Sequence, residues 1–599
     1  MHVASEDQPR IAVFRYASVV LMSSFVLCTP LLVKAQNDEP KPNEGGSAAL
    51  TIGRKQSPKK VVDARDLARQ ARKGSEIRLD GAVIRGPLDL SYAVIAQQIS
   101  LTHCDFQDEP NLSYSTLKRH LVLDGSTFRK GLRLEGTTVE LNANLKGTTF
   151  LAGEAVFKDL QVHGLLNVSG SQFAENVSVK AQRMHVERGA DFSNADFGAN
   201  VDLSDLEDHS DLFFQKARFH RVFHLGTAKI GGSLFLMDAQ FEGPAQLPGM
   251  QVAYNVRAER AVFKNQAIFG DSQIGSFLEL SGAKFESTDK PANFTRATVA
   301  RGGFFDKVKF AGGGKFDGAH FNADASFDEA VFEGPASFDR AHFDQSAHFE
   351  HTIFKKQVSF HEASFGSLDL SPNGQVRGHD QFGDQVDLQG CTYDRVQVQW
   401  QSLLRMSDGK SSLEGLDRQP YFQLQKTYEA AGNDSAARQV LLEWHRVKRQ
   451  DIFRANKWAW LGDCVLWLTT NYGTNTFRLL ELSALLLLFG TLIFSCPGAV
   501  RSRTSHRGKE TAAIASDLPL RHWDAFFVSL HQFLPLEVPI GSEWTPARDP
   551  VTLTFTHRKG SVLLFRMRPS TCATLLKVLG YIVVPLEILI LNGLLKPGT

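Results

Sequence analysis

The chain of 599 residues is short of cysteine, of charge imbalance, and of tyrosine and tryptophan. Its six cysteines (Cys28, Cys104, Cys391, Cys464, Cys496, Cys572) form no close pair, which excludes a disulfide framework and zinc-finger spacing. Lys+Arg total 66 and Asp+Glu 65, a formal charge of +1. That balance speaks against a nucleic-acid binder with a large basic face and against an acidic mimic of nucleic acid. Nucleophile-elbow, H-E-x-x-H, phosphate-loop and dinucleotide-binding motifs are all missing, so no enzyme is expected and no catalytic or cofactor-binding residue is assigned. Nine Tyr and seven Trp stand beside 44 Phe, and 31 of those Phe fall between residues 77 and 365.

There the phenylalanines form a ladder. Phe294, Phe305, Phe316, Phe327, Phe338, Phe349 and Phe360 recur every 11 residues. A second series, Val299, Phe310, Phe321, Phe332, Phe343, Phe354 and Phe365, is interleaved, so the steps alternate 5 and 6. Upstream, Leu takes one series (Leu90, Leu101, Leu112, Leu123, Leu134, Leu145) against Ile95, Phe106, Leu117, Phe128, Val139 and Phe150. Slips occur near Val156, around Ala190–Phe192, and by about three residues near Lys290. An 11-residue period also suits a right-handed coiled coil. On a helix, however, five residues turn about 500°, which leaves the two series about 140° apart instead of on one seam. Glycine runs such as Gly312, Gly313 and Gly314 would weaken that helix further. A β-solenoid with one corner every five or six residues fits instead.

Around each ladder residue the pattern is small–polar–Phe, as in Ala319, His320, Phe321 and Ala336, Ser337, Phe338. This resembles the pentapeptide-repeat family, whose five-residue unit carries a small residue two before a central Leu or Phe. The resemblance implies a mainly β fold, a right-handed quadrilateral β-helix over 76–366. The added residue in every second unit gives about 22 residues per coil, and roughly 12 coils stacked at ~4.8 Å make a rod of about 60 Å. Some members of that family are acidic rods that mimic DNA. Here Lys307, Lys309, Lys315, Arg340, Lys355 and Lys356 are mixed with the acids, and no nucleic-acid partner is expected.

Asp306, Asp317, Asp328, Asp339 and Glu350 each follow a ladder Phe, so Asp306, Asp328 and Glu350 would stack. Stacked like charges repel. A hard cation would reconcile them; carboxylates capping turn N–H groups would do so without one, and that reading is adopted. His320 and His342 are also one coil apart, with His348, His351 and His361 nearby, but no third ligand has fixed spacing and no metal site is assigned.

The flanks read as export and anchoring. Arg10 and Arg15 precede an apolar run over 16–33 broken by Pro30, and Val33, Lys34 and Ala35 offer small residues around a cleavage point, so 1–35 is expected to be a signal peptide. Residues 36–75 read as a flexible linker with a short helix over 63–72, and 367–417 as a second linker. A helical hairpin is expected over 418–457, with Asp434 as N-cap of its second helix; it is similar to half of a tetratricopeptide-type array. The basic run Arg446, Lys448, Arg449, Arg454 and Lys457 is placed against either headgroups or solvent.

A membrane module is expected over 458–599, with spans about 479–496 and 573–595 and a short apolar helix over 524–534. That layout resembles a two-helix cation-channel pore, which implies a T-x-G-Y-G filter. The chain instead continues Phe533, Leu534, Pro535, Leu536, Glu537, Val538, Pro539, so no selectivity residue carries over. The two likenesses disagree on sidedness: an exported rod puts 498–571, with Arg501, Arg503, Arg507 and Lys509, inside the cell, and a channel puts it outside. The expected protein is a bacterial-type cytoplasmic-membrane protein, multi-pass, whose exported solenoid is a non-enzymatic binding or scaffolding surface for a protein partner or a second copy. The alternative is a channel-like pore regulated by the β-helix.

Overall fold

A computed structural model describes residues 60–591, except 372–380, 399, 405–416, 473–476, 503–519, 537–538, 540–541, 543 and 558–559. The expected signal peptide and most of the first linker lie outside the described residues.

From Val61 to Gln397 the chain winds a parallel β-solenoid of about 14 turns with about 22 residues per coil. Most strands are two residues long, with one residue inward and one outward, because the chain turns before a third can pair. Each turn uses the small residue of the repeat. Ala319, Ala330 and Ala341 donate their N–H to the carbonyls of Phe316, Phe327 and Phe338 at 2.9–3.0 Å, and all three are fully buried. The residue before each alanine is left-handed: Gly318 (φ 63), Glu329 (φ 54), Arg340 (φ 55). A larger side chain at the alanine would meet the core where the chain folds inward.

The strands form a 14-stranded, a 12-stranded and a 26-stranded sheet. The last combines two faces, because residues 342–348, 364–369 and 392–397 run as continuous strands through one corner. Four faces therefore enclose the core. Register departs from 22 where the sequence slips: Arg183 reaches Asp159, 24 residues back, and Arg296 reaches Asp271, 25 back.

Both Phe series point inward. Phe106, Phe128, Phe150, Phe173, Phe197, Phe219, Phe241, Phe263, Phe285, Phe310, Phe332, Phe354 and Phe382 form one unbroken stack with centroids 4.5–5.7 Å apart. The 11-residue series divides into two columns, Phe294–Phe316–Phe338–Phe360 and Phe305–Phe327–Phe349, which meet edge to face at 5.3–5.6 Å. Offset-stacked and T-shaped pairs contribute about 0.5–1.5 kcal/mol each beyond area burial.

The solenoid is longer than its Phe period. Residues 61–63, assigned to a linker on composition, pair with 83–85, and helix α1 (Ala64–Arg72) buries Ala64, Leu67, Ala68 and Ala71 over the first coil. Asp63 caps it through Arg65 N–H. At the other end 386–387 and 392–397, also assigned to a linker, continue the sheets. Both segments lack the 11-residue signal because they are the end coils, where helices replace a neighbouring coil.

Helix α2 (Trp400–Leu404) and the hairpin of α3 (Gln419–Ala430) and α4 (Asp434–Ala455) cover the last coil. Gln419 Nε2 donates to Cys391 O (2.9 Å), Gln423 Nε2 to Tyr393 O (2.9 Å) and Tyr428 OH to Val398 O (2.8 Å), filling backbone positions the next coil would have used. The N-cap of α4 is Asn433, which accepts from Ala436 N–H, and Asp434, the expected cap, is the first helical residue, so the helix starts one place earlier than expected.

Helix α5 (Lys457–Thr470) joins α4 through Asp463, which accepts from Arg449 (3.0 Å) and Tyr472 (2.6 Å). Arg446 pairs with Glu443, so Arg446 and Arg449 of the basic run are engaged within the protein. A separate core follows, built by α6 (Phe477–Phe494), α7 (His522–Phe533) and α8 (Pro569–Leu591). Residues 551–557 and 560–567 add an antiparallel hairpin that the sequence did not disclose. Among the described residues, α6 and α8 are long and apolar enough to cross a membrane, and 28% of each is buried within the protein.

Candidate functional site

Among the described residues the inward side chains pack closely: an interior gap beside Leu101, Phe106 and Phe128 measures about 10 Å³. The grooves described below lie on the outer faces. Along the corners, side chains one coil apart pair in columns. Arg129 forks onto Asp105 (2.8 and 2.9 Å), Arg183 onto Asp159 (both 2.8 Å) and Arg260 onto Asp238 (2.8 and 2.9 Å). These hydrogen bonds and charges hold the Arg pKa values above the ordinary guanidinium value.

One groove of about 670 Å³ lies over Phe150, Phe173, Asp196, His220, Arg221 and Glu242. His220 bridges two coils, with Nε2 2.8 Å from Asp196 and Nδ1 2.8 Å from Glu242, and Lys264 reaches Glu242 at 2.9 Å. Burial works against the imidazolium, yet the bonds to Glu242 and Asp196 and their charges outweigh it and raise the His220 pKa. A second groove of about 660 Å³ runs over Asp208, Lys229, Gln251, Gln273 and Thr298.

Asp208 is the residue the sequence reading missed. It stands in an inward column between Val186 and Ile230 and is 1% exposed. Its carboxylate accepts from Ser210 N–H and from Ala190 N–H, each at 3.0 Å. Ala190 lies at the register slip, so Asp208 satisfies an amide the slipped coil leaves over. Burial pushes its pKa up to about 6, against the two hydrogen bonds.

The acidic columns resolve into two kinds. Asp306, Asp317 and Asp339 accept from the hydroxyls of Ser326, Ser337 and Ser359 on the next coil. They are satisfied without a cation, though by serine hydroxyls and not by turn amides. Asp328 and Glu350 differ. Asp328 Oδ1 lies 2.9 Å from His351 Nδ1, and Asp328, Glu350 and His351 present donor atoms all within 4.8 Å of one another. His348, Glu350 and Asp369 do the same, with Asp369 buried. The remaining histidines stand apart from this cluster: His320 and His342 meet edge to face at 5.2 Å, His320 bonds Asp344 at 3.1 Å, and His361 lies 3.3 Å from Asp387.

A family model of pentapeptide repeats (nine copies) matches residues 316–364. The chain carries pentapeptide repeats. The match covers the stretch where both inward series are almost all Phe and no slip occurs, while the same solenoid continues through the Leu-bearing and slipped coils outside it. Comparison with curated proteins and with solved structures gives no match.

In the helical core α7 is held between α6 and α8. Ser529 Oγ donates to Leu487 O at 3.1 Å, and a Cβ on Gly490 would lie 2.2 Å from that hydroxyl. A Cβ on Gly580 would lie 1.6 Å from Phe533 O, so α8 passes the end of α7 only because residue 580 has no side chain. Ser483 Oγ donates to Glu587 Oε1 across the two long helices at 2.5 Å.

Proposed function

We propose that this protein is a non-enzymatic binding or scaffolding surface, a pentapeptide-repeat solenoid exported to the outer side of a bacterial-type cytoplasmic membrane and tethered there by α6 and α8. The observation that carries the reading is the contrast in where apolar surface goes. The solenoid turns most of its Phe and Leu inward, and the apolar side chains it does expose, such as Tyr92, Tyr114, Leu151, Leu165 and Tyr254, are scattered among ion-paired and hydroxyl-bearing ones. In α6 and α8, Leu485, Leu488, Leu492, Val578, Ile582 and Ile588 are about half exposed, a surface that water does not favour and lipid accepts. Helices at both ends of the solenoid leave its long faces as the surface for a protein partner or a second copy.

Sidedness tests it. A reporter active only outside the cytoplasm is fused after Ser371 and, separately, after Gly508. Activity at the first and silence at the second is expected; the reverse pattern overturns the exported solenoid. A second reading, a channel-like pore with the solenoid as regulator, draws on α7 packed between two candidate spans. Its test is conductance of the purified chain in a planar bilayer, which the scaffold reading expects to be absent.

A further inference from the structure

The acidic corner departs from its own rule at one place. Where Asp306, Asp317 and Asp339 each meet a serine hydroxyl on the following coil, the matching position for Asp328 is His348, which pairs in register with Ser326. For Glu350 the matching position is Asp369, which pairs in register with His348. The hydroxyl donor is thus replaced first by an imidazole and then by a second carboxylate. Asp369 is 6% exposed and takes one N–H, from Ser371 at 2.9 Å. Two carboxylates so placed repel unless a proton or a cation lies between them.

We propose that His348, Glu350 and Asp369 bind one divalent transition-metal ion of the zinc type, with Asp328 and His351 positioning Glu350 from its other side. The donor chemistry selects the ion. Calcium and magnesium take oxygen donors, whereas imidazole with carboxylate suits zinc and its neighbours. Three protein donors leave a fourth place for water or for a partner's side chain. Bonds of about 2.0–2.2 Å require donors about 3.4 Å apart, so donor atoms within 4.8 Å of one another would draw closer as the ion binds. The ion would clamp adjacent coils where the strands run through the corner, close to the helices that cover the solenoid's end.

The test uses the full, untagged chain in detergent, stripped with chelator and titrated calorimetrically with Zn²⁺, then with Ca²⁺. One Zn²⁺ per chain is expected, with affinity lowered roughly 100-fold or more in Glu350→Gln and in Asp369→Asn, and unchanged in His320→Ala outside the cluster. Co²⁺ in place of Zn²⁺ should give a d–d spectrum that Glu350→Gln abolishes. Circular dichroism of each variant separates loss of the site from loss of the fold, and the partly exposed Glu350 decides if Asp369→Asn does not fold. Zn²⁺ affinity unaffected by Glu350→Gln, no bound Zn²⁺ at all, or Ca²⁺ bound in preference to Zn²⁺ would each overturn the proposal.

Discussion

The solenoid and the helical segment solve the same problem in opposite ways. In the solenoid each coil buries its own Phe, Leu and Ala against the coil before it, so Phe241 rests between Phe219 and Phe263 at 4.9 and 4.8 Å. In α6 and α8 the protein buries one side of each helix around α7 and leaves the other side apolar. Local stacking makes the first region self-supporting, with no ligand or lipid required. The second reaches its lowest free energy only if something apolar covers what it exposes. Equivalent substitutions in the two regions should therefore have unequal consequences.

The largest effect is expected at the stack. Phe241→Ala removes a ring with neighbours on both sides and should lower the unfolding free energy by about 3–5 kcal/mol, measured by denaturant titration of the full chain in detergent. Leu488→Ala, on the uncovered side of α6, should leave that transition within about 0.5 kcal/mol. Equal losses would erase the comparison. Next, Gly580→Ala forces a Cβ onto Phe533 O and should destabilise the helical core by about 3 kcal/mol. Protease cleavage between α7 and α8 should rise while the solenoid midpoint stays fixed.

A pH effect of intermediate size belongs to Asp208. Its folded pKa, about 6, lies above the ordinary value of 3.8, so between those values the native state holds a proton that the unfolded chain has lost. Stability then falls as pH rises through this window, by on the order of 2–3 kcal/mol once both states are ionised. Asp208→Asn should remove that slope from the melting temperature between pH 4 and 6. The smallest effect is at the corner pairs. Arg260→Ala breaks an exposed fork with Asp238 and should barely move the unfolding midpoint, and less again in high salt.

What could be read from the sequence follows the same division. The 11-residue ladder exposes the solenoid because every coil repeats one packing decision, and even the slips near Val156, Ala190 and Lys290 appear as 24- and 25-residue spacings. The end coils were not legible, since α1 and Gln419, Gln423 and Tyr428 complete them with contacts that have no period. Asp208 escaped notice because it breaks the apolar series by a single residue whose partner, Ala190 N–H, is a consequence of a slip. The cluster at Glu350 was half visible. Asp328 and Glu350 lie 22 apart, but Asp369 falls short of that spacing, after the register shift between Phe343 and Ser346. The hairpin over 551–567 and helix α5 were hidden because neither repeats and both flank longer apolar runs.

The most direct test of the account is partition of the expressed chain after an alkaline wash of membranes, which releases peripheral and soluble proteins. The full chain is expected to stay in the pellet, and a chain ending after Tyr472, which keeps the solenoid, its covering helices and α5, is expected in the supernatant. Release of the full chain would show that α6 and α8 are core helices of a soluble domain, and retention of the shortened chain would show that the anchor lies elsewhere.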